Sequence, residues 1–312
     1  MKRFGAVVVL FKPSGEQLDH LRRVKDQCAD LVAVDNSPEP DPGLPARLQA
    51  EGIETVANRN RGGVAGGFNR GIEVLEARGC EVFFYFDQDS QLPDGYFAAM
   101  LRVGEGLQDP RFILAPRIFD VHVGRYLDSF ITDGWRARRV RVGAADGETL
   151  RCSFVISSGC AVSAAARREL GPMREDYFID HVDSEYCFRA LARSVPVYIT
   201  TAVTLRHQIG ERVKHRFLYF FEIGAINHVP ARRYYMARNA VHMVCLYGRR
   251  LPAAVMLMNL LTLSQIVAVA CFETGKRRKL AAMLLGLWDG LHARLGTLES
   301  LHPRTLDRPW EQ

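Results

Sequence analysis

Residues 5–11, 31–34, 53–57 and 82–86 form four short apolar runs, each separated from the next by an amphipathic stretch long enough for a helix. Runs of this length, bounded by polar turns, read as strands. Strands that alternate with helices predict an α/β fold, a mostly parallel sheet with crossover helices. Ligands gather beyond the carboxyl ends of the strands of such a sheet. The residues that matter most are therefore those after each run: Asp35-Asn36-Ser37-Pro38, then Asn58 through Gly63, then Asp87-Gln88-Asp89-Ser90.

Beyond residue 110 the rhythm loosens. Strand-like runs at 112–115, 153–157 and 197–200 predict that the sheet continues with antiparallel members. After Arg216 the chain reads as helical, which predicts an α/β domain over residues 1–215 and a helical region over 216–312. Residues 251–272 carry no charge and are long enough to cross a bilayer. They nevertheless contain Asn259, Thr262, Ser264 and Gln265, which favours a buried or interfacial helix over a span. Lys276-Arg277-Arg278-Lys279 follows, a run that suits either an exposed helix end or anionic head groups. Residues 201–312 hold 16 Lys/Arg against 7 Asp/Glu, so the net charge of +6 belongs to this part of the chain. The seven cysteines show no metal-ligand spacing and fit a reducing cytoplasm. The apolar run that follows Met1-Lys2-Arg3 is short for a secretory signal and reads as the first strand.

Several segments hold candidate chemistry. Asp87 and Asp89 lie two apart after a strand; if the extended conformation continues, both carboxylates face one side and can share a hard cation such as Mg²⁺ or Mn²⁺. Asp35 can accept from a pyrimidine ring N–H, although Asp-Asn-Ser-Pro is also ordinary turn sequence. Asn60, Gly62, Gly63 and Asn69 belong to a glycine-rich helix start, where backbone can approach a ligand and N–H groups favour anions. It lacks the dinucleotide fingerprint. Asp180, Asp183 and Glu185 crowd three carboxylates into six residues, a setting in which one can serve as a general base, or in which all simply favour a helix N-terminus. His207 follows another strand-like run. Arg238, near Arg232 and Arg233, has the planar fork that suits a diphosphate. Arg and Tyr together also occur in nucleic-acid-binding proteins, but no nucleic-acid motif accompanies them.

Taken in order, these segments resemble the family-2 inverting glycosyltransferases of GT-A fold, over nearly the whole chain. Val34-Asp35-Asn36-Ser37-Pro38, Pro116-Arg117-Ile118-Phe119-Asp120 and the segments 86–90, 153–160, 178–186 and 232–239 resemble bacterial rhamnosyltransferases more narrowly, among them those of di-rhamnolipid synthesis. Leu287-Trp288-Asp289-Gly290-Leu291 adds to that likeness. The resemblance implies dTDP-L-rhamnose as donor and a lipid-linked acceptor, mono-rhamnolipid becoming di-rhamnolipid, at the cytoplasmic face of the inner membrane. The C-terminal region would supply peripheral membrane contact. It further implies that Asp35 reads the base, that Asn36, Asn60 and residues 62–69 line the nucleotide, and that Asp87 and Asp89, with His207, hold Mg²⁺ or Mn²⁺. Asp183 would be the catalytic base and Arg238 a diphosphate ligand. Many relatives carry Glu where this chain has Val182, so any role of that Glu is lost or moved to Asp180. Two other readings stand beside this one: a rhamnosyltransferase of cell-surface polysaccharide of the O-antigen type, and a sugar-nucleotide-binding protein without turnover.

Overall fold

The computed structural model describes residues 2–121, 124–143, 149–207, 213–217, 221–225 and 228–303, with backbone only for His207 and the segments 213–217 and 221–225. In chain order the elements are β1 (Phe4–Leu10), α1 (Gly15–Gln27), β2 (Leu31–Asp35), α2 (Leu44–Ala50), β3 (Glu54–Ala57), α3 (Gly63–Ala77), β4 (Val82–Asp87), α4 (Tyr96–Glu105), β5 (Ile113–Asp120), β6 (Arg125–Tyr126), β7 (Ser129–Asp133), β8 (Arg136–Val140), β9 (Thr149–Cys152), β10 (Cys160–Ser163), α5 (Ala164–Leu170), α6 (Val182–Ala192), β11 (Val197–His207), β12 (Val213–Phe217), β13 (Phe221–Ala225), α7 (Pro230–Tyr247), α8 (Pro252–Phe272), α9 (Lys276–Leu291) and α10 (Leu298–Leu301). They divide into two compact units. The first comprises 1–131, 138–175 and 183–208; the second comprises 132–137, 176–182 and 209–312. The chain passes between them more than once, rather than at one boundary near residue 215.

The first unit is built on the expected sheet. Among the described residues nine strands join, in the order β3-β2-β1-β4-β10-β5-β11-β9, with β6 beside β5. β3, β2, β1 and β4 are parallel, whereas β10 runs antiparallel between β4 and β5. Mixed strand directions follow from the looser pattern past residue 110. The register pairs Leu10 with Asp35, Asp35 with Ala57, and Val9 with Asp87, so the ends of β2, β3 and β4 open on one edge.

β4 shows why its apolar run is unbroken. Phe84 and Phe86 face Tyr96 and Phe97 of α4, while Tyr85, pointing the other way, meets Phe68 of α3 edge-on. Each such fully buried side chain contributes about 1.5–3 kcal/mol of transfer free energy. On that second face α3 presses close to the sheet. A Cβ at Gly71 would lie 2.2 Å from Val7 Cγ2, and one at Gly67 3.0 Å from Val9 Cγ1. These glycines serve helix–sheet packing, not the approach of a ligand.

Two expected elements differ. Residues 153–157 are irregular rather than a strand, and between Arg216 and the first long helix the chain makes the β12–β13 hairpin. Val213 to Ala225 pair locally with each other, a contact that helical periodicity further along the chain does not announce.

The second unit is helical. Ala237, Val269 and Met283 bring α7, α8 and α9 together, and α9 approaches α7 closely because Gly286 and Gly290 have no Cβ to meet Tyr234 O and Arg238 O. Charged groups fill much of the interior. Glu273 accepts from Arg233 and, at 2.8 Å, from Lys279, while Asp289 accepts from the Tyr234 hydroxyl at 2.7 Å. α8 is long and apolar enough to cross a bilayer, with mean hydropathy 2.0 and 28% of that stretch buried. One side of it faces α7, with Asn259 Nδ2 donating to Ala240 O. Met256, Leu260, Leu263 and Val267, spaced four, three and four apart, form an exposed stripe.

Candidate active site

Asp35 ends β2 and is 1% exposed. Its Oδ1 accepts from the Ser37 N–H at 2.9 Å, and its Oδ2 has no hydrogen-bond partner. A buried carboxylate oxygen left unmatched costs at least about 1–3 kcal/mol. It is poised for a donor from a ligand.

Beside it lies the loop from Asn58 to Gly63. Arg59, Asn60, Gly62 and Gly63 are all left-handed, with φ of 53°, 57°, 64° and 60°. Residues with a Cβ hold that conformation only where surrounding bonds over-determine it. The bonds are present: Asn58 Nδ2 donates to Asn36 Oδ1 and Arg61 O, both at 2.7 Å, and Asn36 Nδ2 donates to Asn60 Oδ1 at 3.2 Å and Gly63 O at 3.0 Å. Asn36 and Asn60 thus use amide groups to shape the loop. Asn69 is further from its expected role. Its amide donates to Met173 O and Glu175 Oε1 and accepts from Met173 N–H, all at 2.9 Å, so it ties α3 to the segment after α5.

Asp87 ends β4 on the same edge as Asp35. The strand stops there, because Ser90 N–H turns back to Asp87 O at 3.2 Å, so the extended conformation does not continue to Asp89. Asp89 stands half-buried in that turn. Gln88 locks the turn to β1, its Oε1 accepting from Phe11 N–H at 2.8 Å and its Nε2 donating to Phe11 O at 3.2 Å. Ser158 Oγ donates to Asp87 Oδ2. Among the described residues no three His, Cys, Asp or Glu side chains converge as a metal cage. Two hard carboxylates at a strand end nonetheless fit a divalent ion that takes its other ligands from a diphosphate.

Asp183 lies in the first turn of α6 and lines a recess with Tyr85, Ser157, Cys160, Met173 and Tyr186. The turn at 157–160 connects this recess to the Asp87 carboxylate, since Ser157 walls the recess while its neighbour Ser158 holds Asp87. Cys160 senses both. Burial pushes its thiol well up, and the charges of Asp183 and Asp87 add to the effect. The expected cluster of three carboxylates is dispersed. Glu185, about 200° around the helix from Asp183, closes on Arg189, and in the helical unit Asp180 pairs with Arg232 at 3.1 Å.

Sequence reasoning missed Tyr85, Ser157 and Ser158. Tyr85 carried a signal, since it stands two residues before Asp87 and so shares its face of the strand. Its hydroxyl is buried in the recess without a partner. The serines lie in the segment 153–160 that carries the family resemblance, but the strand expected over 153–157 hid the turn that places them. A second, apolar cavity of about 50 Å³, lined by Ala115, Ile118, Leu127, Phe154 and Ile199, shares Val155 and Ile156 with the Asp183 recess.

Arg238 does not behave as a diphosphate ligand. It is wholly buried, and its guanidinium donates to Asn239 Oδ1 at 2.9 Å, Gly296 O at 2.5 Å, Asp176 O at 2.8 Å and Tyr177 O at 3.1 Å. Those bonds make it a tie within the helical unit. His207 ends β11, where its backbone pairs with Asp120; its side chain lies outside the described residues.

No protein-family model matches the chain. The dTDP-rhamnosyl transferase RfbF of Shigella flexneri is 29% identical over 243 residues, covering 75% of this chain and 77% of that protein. A solved structure of GalNAc-T7 with UDP, GalNAc and Mn²⁺ shares the fold at TM-score 0.50 and 13% identity, over 67% of this chain. The present chain spans 44% of that structure's length. With a mostly parallel mixed sheet, a solved neighbour of this fold and a relative of this kind, the chain is a glycosyltransferase of GT-A fold.

Proposed function

We propose that the chain is an inverting rhamnosyltransferase that moves L-rhamnose from dTDP-L-rhamnose to a hydroxyl of a lipid-linked acceptor. The observation that carries this reading is the unmatched, buried Asp35 Oδ2 on the same sheet edge as Asp87, with Asp87 joined through Ser158 to the recess of Asp183. The name of the Shigella flexneri relative supplies the donor.

In this reading Asp35 Oδ2 accepts the ring N–H of the thymine base, and the rigid loop after Asn58 seats the nucleotide. Asp183 takes the proton of the acceptor hydroxyl as that oxygen attacks the anomeric carbon; the bond to the diphosphate breaks on the opposite face, and configuration inverts. Asp87 and Asp89 would hold Mg²⁺ or Mn²⁺, which supplies positive charge beside the departing diphosphate, where negative charge grows in the transition state. The buried Tyr85 hydroxyl sits in the base's recess and can orient the acceptor oxygen.

Membrane contact belongs to the same reading. The exposed stripe of α8 has Arg249 and Arg250 before it and Lys276, Arg277 and Arg278 after it, all exposed. Apolar side chains flanked by cations suit an anionic bilayer surface. The opposite side of α8 packs on α7, whose Arg233 reaches Gln265 at 3.5 Å and pairs with Glu273. Hydrocarbon all around α8 would strand those charges, so the helix lies in the interface rather than across it.

The test is transfer by purified protein from dTDP-L-rhamnose, with Mg²⁺ or Mn²⁺ and detergent, to mono-rhamnolipid or a polyprenyl-linked glycan. Asp183→Asn is expected to lower turnover about 10²- to 10⁴-fold, the usual share of a general base, while dTDP-L-rhamnose binding measured by calorimetry persists. Binding without transfer to any acceptor by the unmutated protein would leave only a sugar-nucleotide-binding role. Transfer to the glycan alone would move the acceptor to cell-surface polysaccharide.

A further inference from the structure

The apolar cavity of about 50 Å³ adjoins the recess of Asp183, and every residue that lines either space belongs to the sheet unit. Ala115, Ile118, Phe154 and Ile199 wall the cavity, while Val155 and Ile156 are common to both spaces. Its two polar residues are already bonded. Ser129 Oγ donates to Phe154 O, and the Asp128 carboxylate accepts from Val142 N–H at 3.0 Å and from Arg139 Nε at 2.7 Å. The shared wall is held in place by its backbone, since Ile156 O accepts from Cys160 Sγ at 2.8 Å and Val155 O from Cys187 Sγ at 3.6 Å. Such a space is shaped in advance, as binding cavities are.

Strand register fixes where it stands. Ala161 of β10 pairs with Phe84 on one side and Leu114 on the other. Ala115 is therefore level with Tyr85, and Ile118 lies one residue beyond the level of Asp87. Only β10 separates β4 from β5, so about 9–10 Å lies between the two strands. Along the sheet the order is Asp35 on β2, Asp87 on β4, the recess with Tyr85 and Cys160, and then the cavity with Ala115 of β5 and Ile199 of β11. In an inverting displacement the nucleophile enters opposite the leaving group. With the diphosphate beside Asp87, the β5 side belongs to the acceptor, and the cavity faces the acceptor rather than the donor sugar.

A water-sized group needs about 10–15 Å³ of such space, so the cavity takes about three to five groups of that size. That is too little for a fatty chain, and enough for the C5–C6 edge of a sugar whose C6 is a methyl group. We propose that this cavity binds the methyl edge of the acceptor sugar and so selects a 6-deoxyhexose, over its 6-hydroxy counterpart, as the residue that receives rhamnose. The inference rests on the transferase reading with Asp183 as base, and names the acceptor of that reading more closely. A 6-hydroxyl placed there would give up its water for hydrocarbon walls.

The experiment measures kcat/KM for octyl α-L-rhamnoside and octyl α-L-mannoside, which differ only in the 6-hydroxyl, with dTDP-L-rhamnose as donor. The rhamnoside is expected to be preferred by about 10- to 100-fold, the range an apolar pocket reaches against an added hydroxyl. Ile118 lines the cavity but not the recess. Ile118→Thr puts a hydroxyl on the cavity wall and is expected to cut the preference to about threefold or less. Both acceptors are read in one preparation, so protein lost to unfolding cancels from the ratio. If that variant does not fold, Ile199→Thr on the neighbouring strand takes its place. A preference below about threefold in the unmutated protein overturns the proposal. So does a preference for the mannoside, in which case Asp128 reads the hydroxyl, and so does a ratio that the threonine variant leaves unchanged. Transfer to mono-rhamnolipid or the polyprenyl-linked glycan with neither octyl glycoside used overturns it too, while the transferase reading stands. Absence of transfer to all four acceptors is the failure of that reading itself, and the proposal falls with it.

Discussion

The two units place their polar and apolar residues in opposite ways. In the sheet unit the interior is mainly hydrocarbon: Val7, Val34, Phe84 and Phe86 are fully buried, and buried charge is sparse, at strand ends such as Asp35 and Asp120 and on the flanking helices at Arg167 and Glu185. In the helical unit Arg233, Arg238, Glu273, Lys279 and Asp289 are buried, while Leu260, Leu263, Leu284, Trp288 and Leu291 are exposed. Burial of apolar area drives folding without regard to direction, so an apolar run marks the core only where all other surroundings are water. A unit that keeps its ion pairs inside and its leucines outside suits the second apolar medium that the proposed bilayer contact would supply. The sheet unit needs none.

This contrast can be broken most forcefully at Glu273. Glu273→Leu leaves Arg233 and Lys279 buried without their shared anion, and a loss of about 3–5 kcal/mol is expected, read as the midpoint of urea unfolding followed by tryptophan fluorescence. A midpoint within error of the unmutated protein would mean that the helical interior is wet and the inversion only apparent. A smaller effect is expected in the sheet unit. Gly71→Ala drives a methyl group to within 2.2 Å of Val7 Cγ2, and overpacking of that kind costs about 1–3 kcal/mol by the same measurement. An unchanged midpoint would show that α3 can lift from the sheet. The smallest change in stability belongs to the exposed stripe: Leu260→Glu together with Leu263→Glu should shift stability by no more than about 0.5 kcal/mol per site. The same pair should abolish cosedimentation with phosphatidylglycerol vesicles and leave phosphatidylcholine controls unaffected. Marked unfolding of this double variant would show that the stripe is core, covered by another copy of the chain.

Much of the sheet unit was legible residue by residue. Each of the first four apolar runs became a strand, with ends within one or two positions of expectation, and the polar residues that follow them meet on one edge. Periodicity and turn chemistry are local properties, so a window of sequence contains them. The turn at Asp87–Ser90, the irregular segment 153–157 and the β12–β13 hairpin were not legible. The first two depend on partners far along the chain, Gln88 on Phe11 and Ser158 on Asp87, while the hairpin pairs locally but without a turn signal or alternation that set it apart from the helices after it. Arg238 is the clearest case. Its composition suits a phosphate, yet its guanidinium is committed to carbonyls of residues 176, 177 and 296.

The sequence by itself determined the alternation of strand and helix, the edge on which Asp35, Asn58 and Asp87 stand, and the candidacy of Asp183, because these follow from short-range pattern and the chemistry of side chains. Tertiary structure alone decided which polar groups remain available to a ligand. A hydrogen-bonding group buried in a fold is either matched or costly, and the match comes from whichever distant segment packs against it. Asp35 Oδ2 was left unmatched and Arg238 was not, and no local reading distinguishes the two.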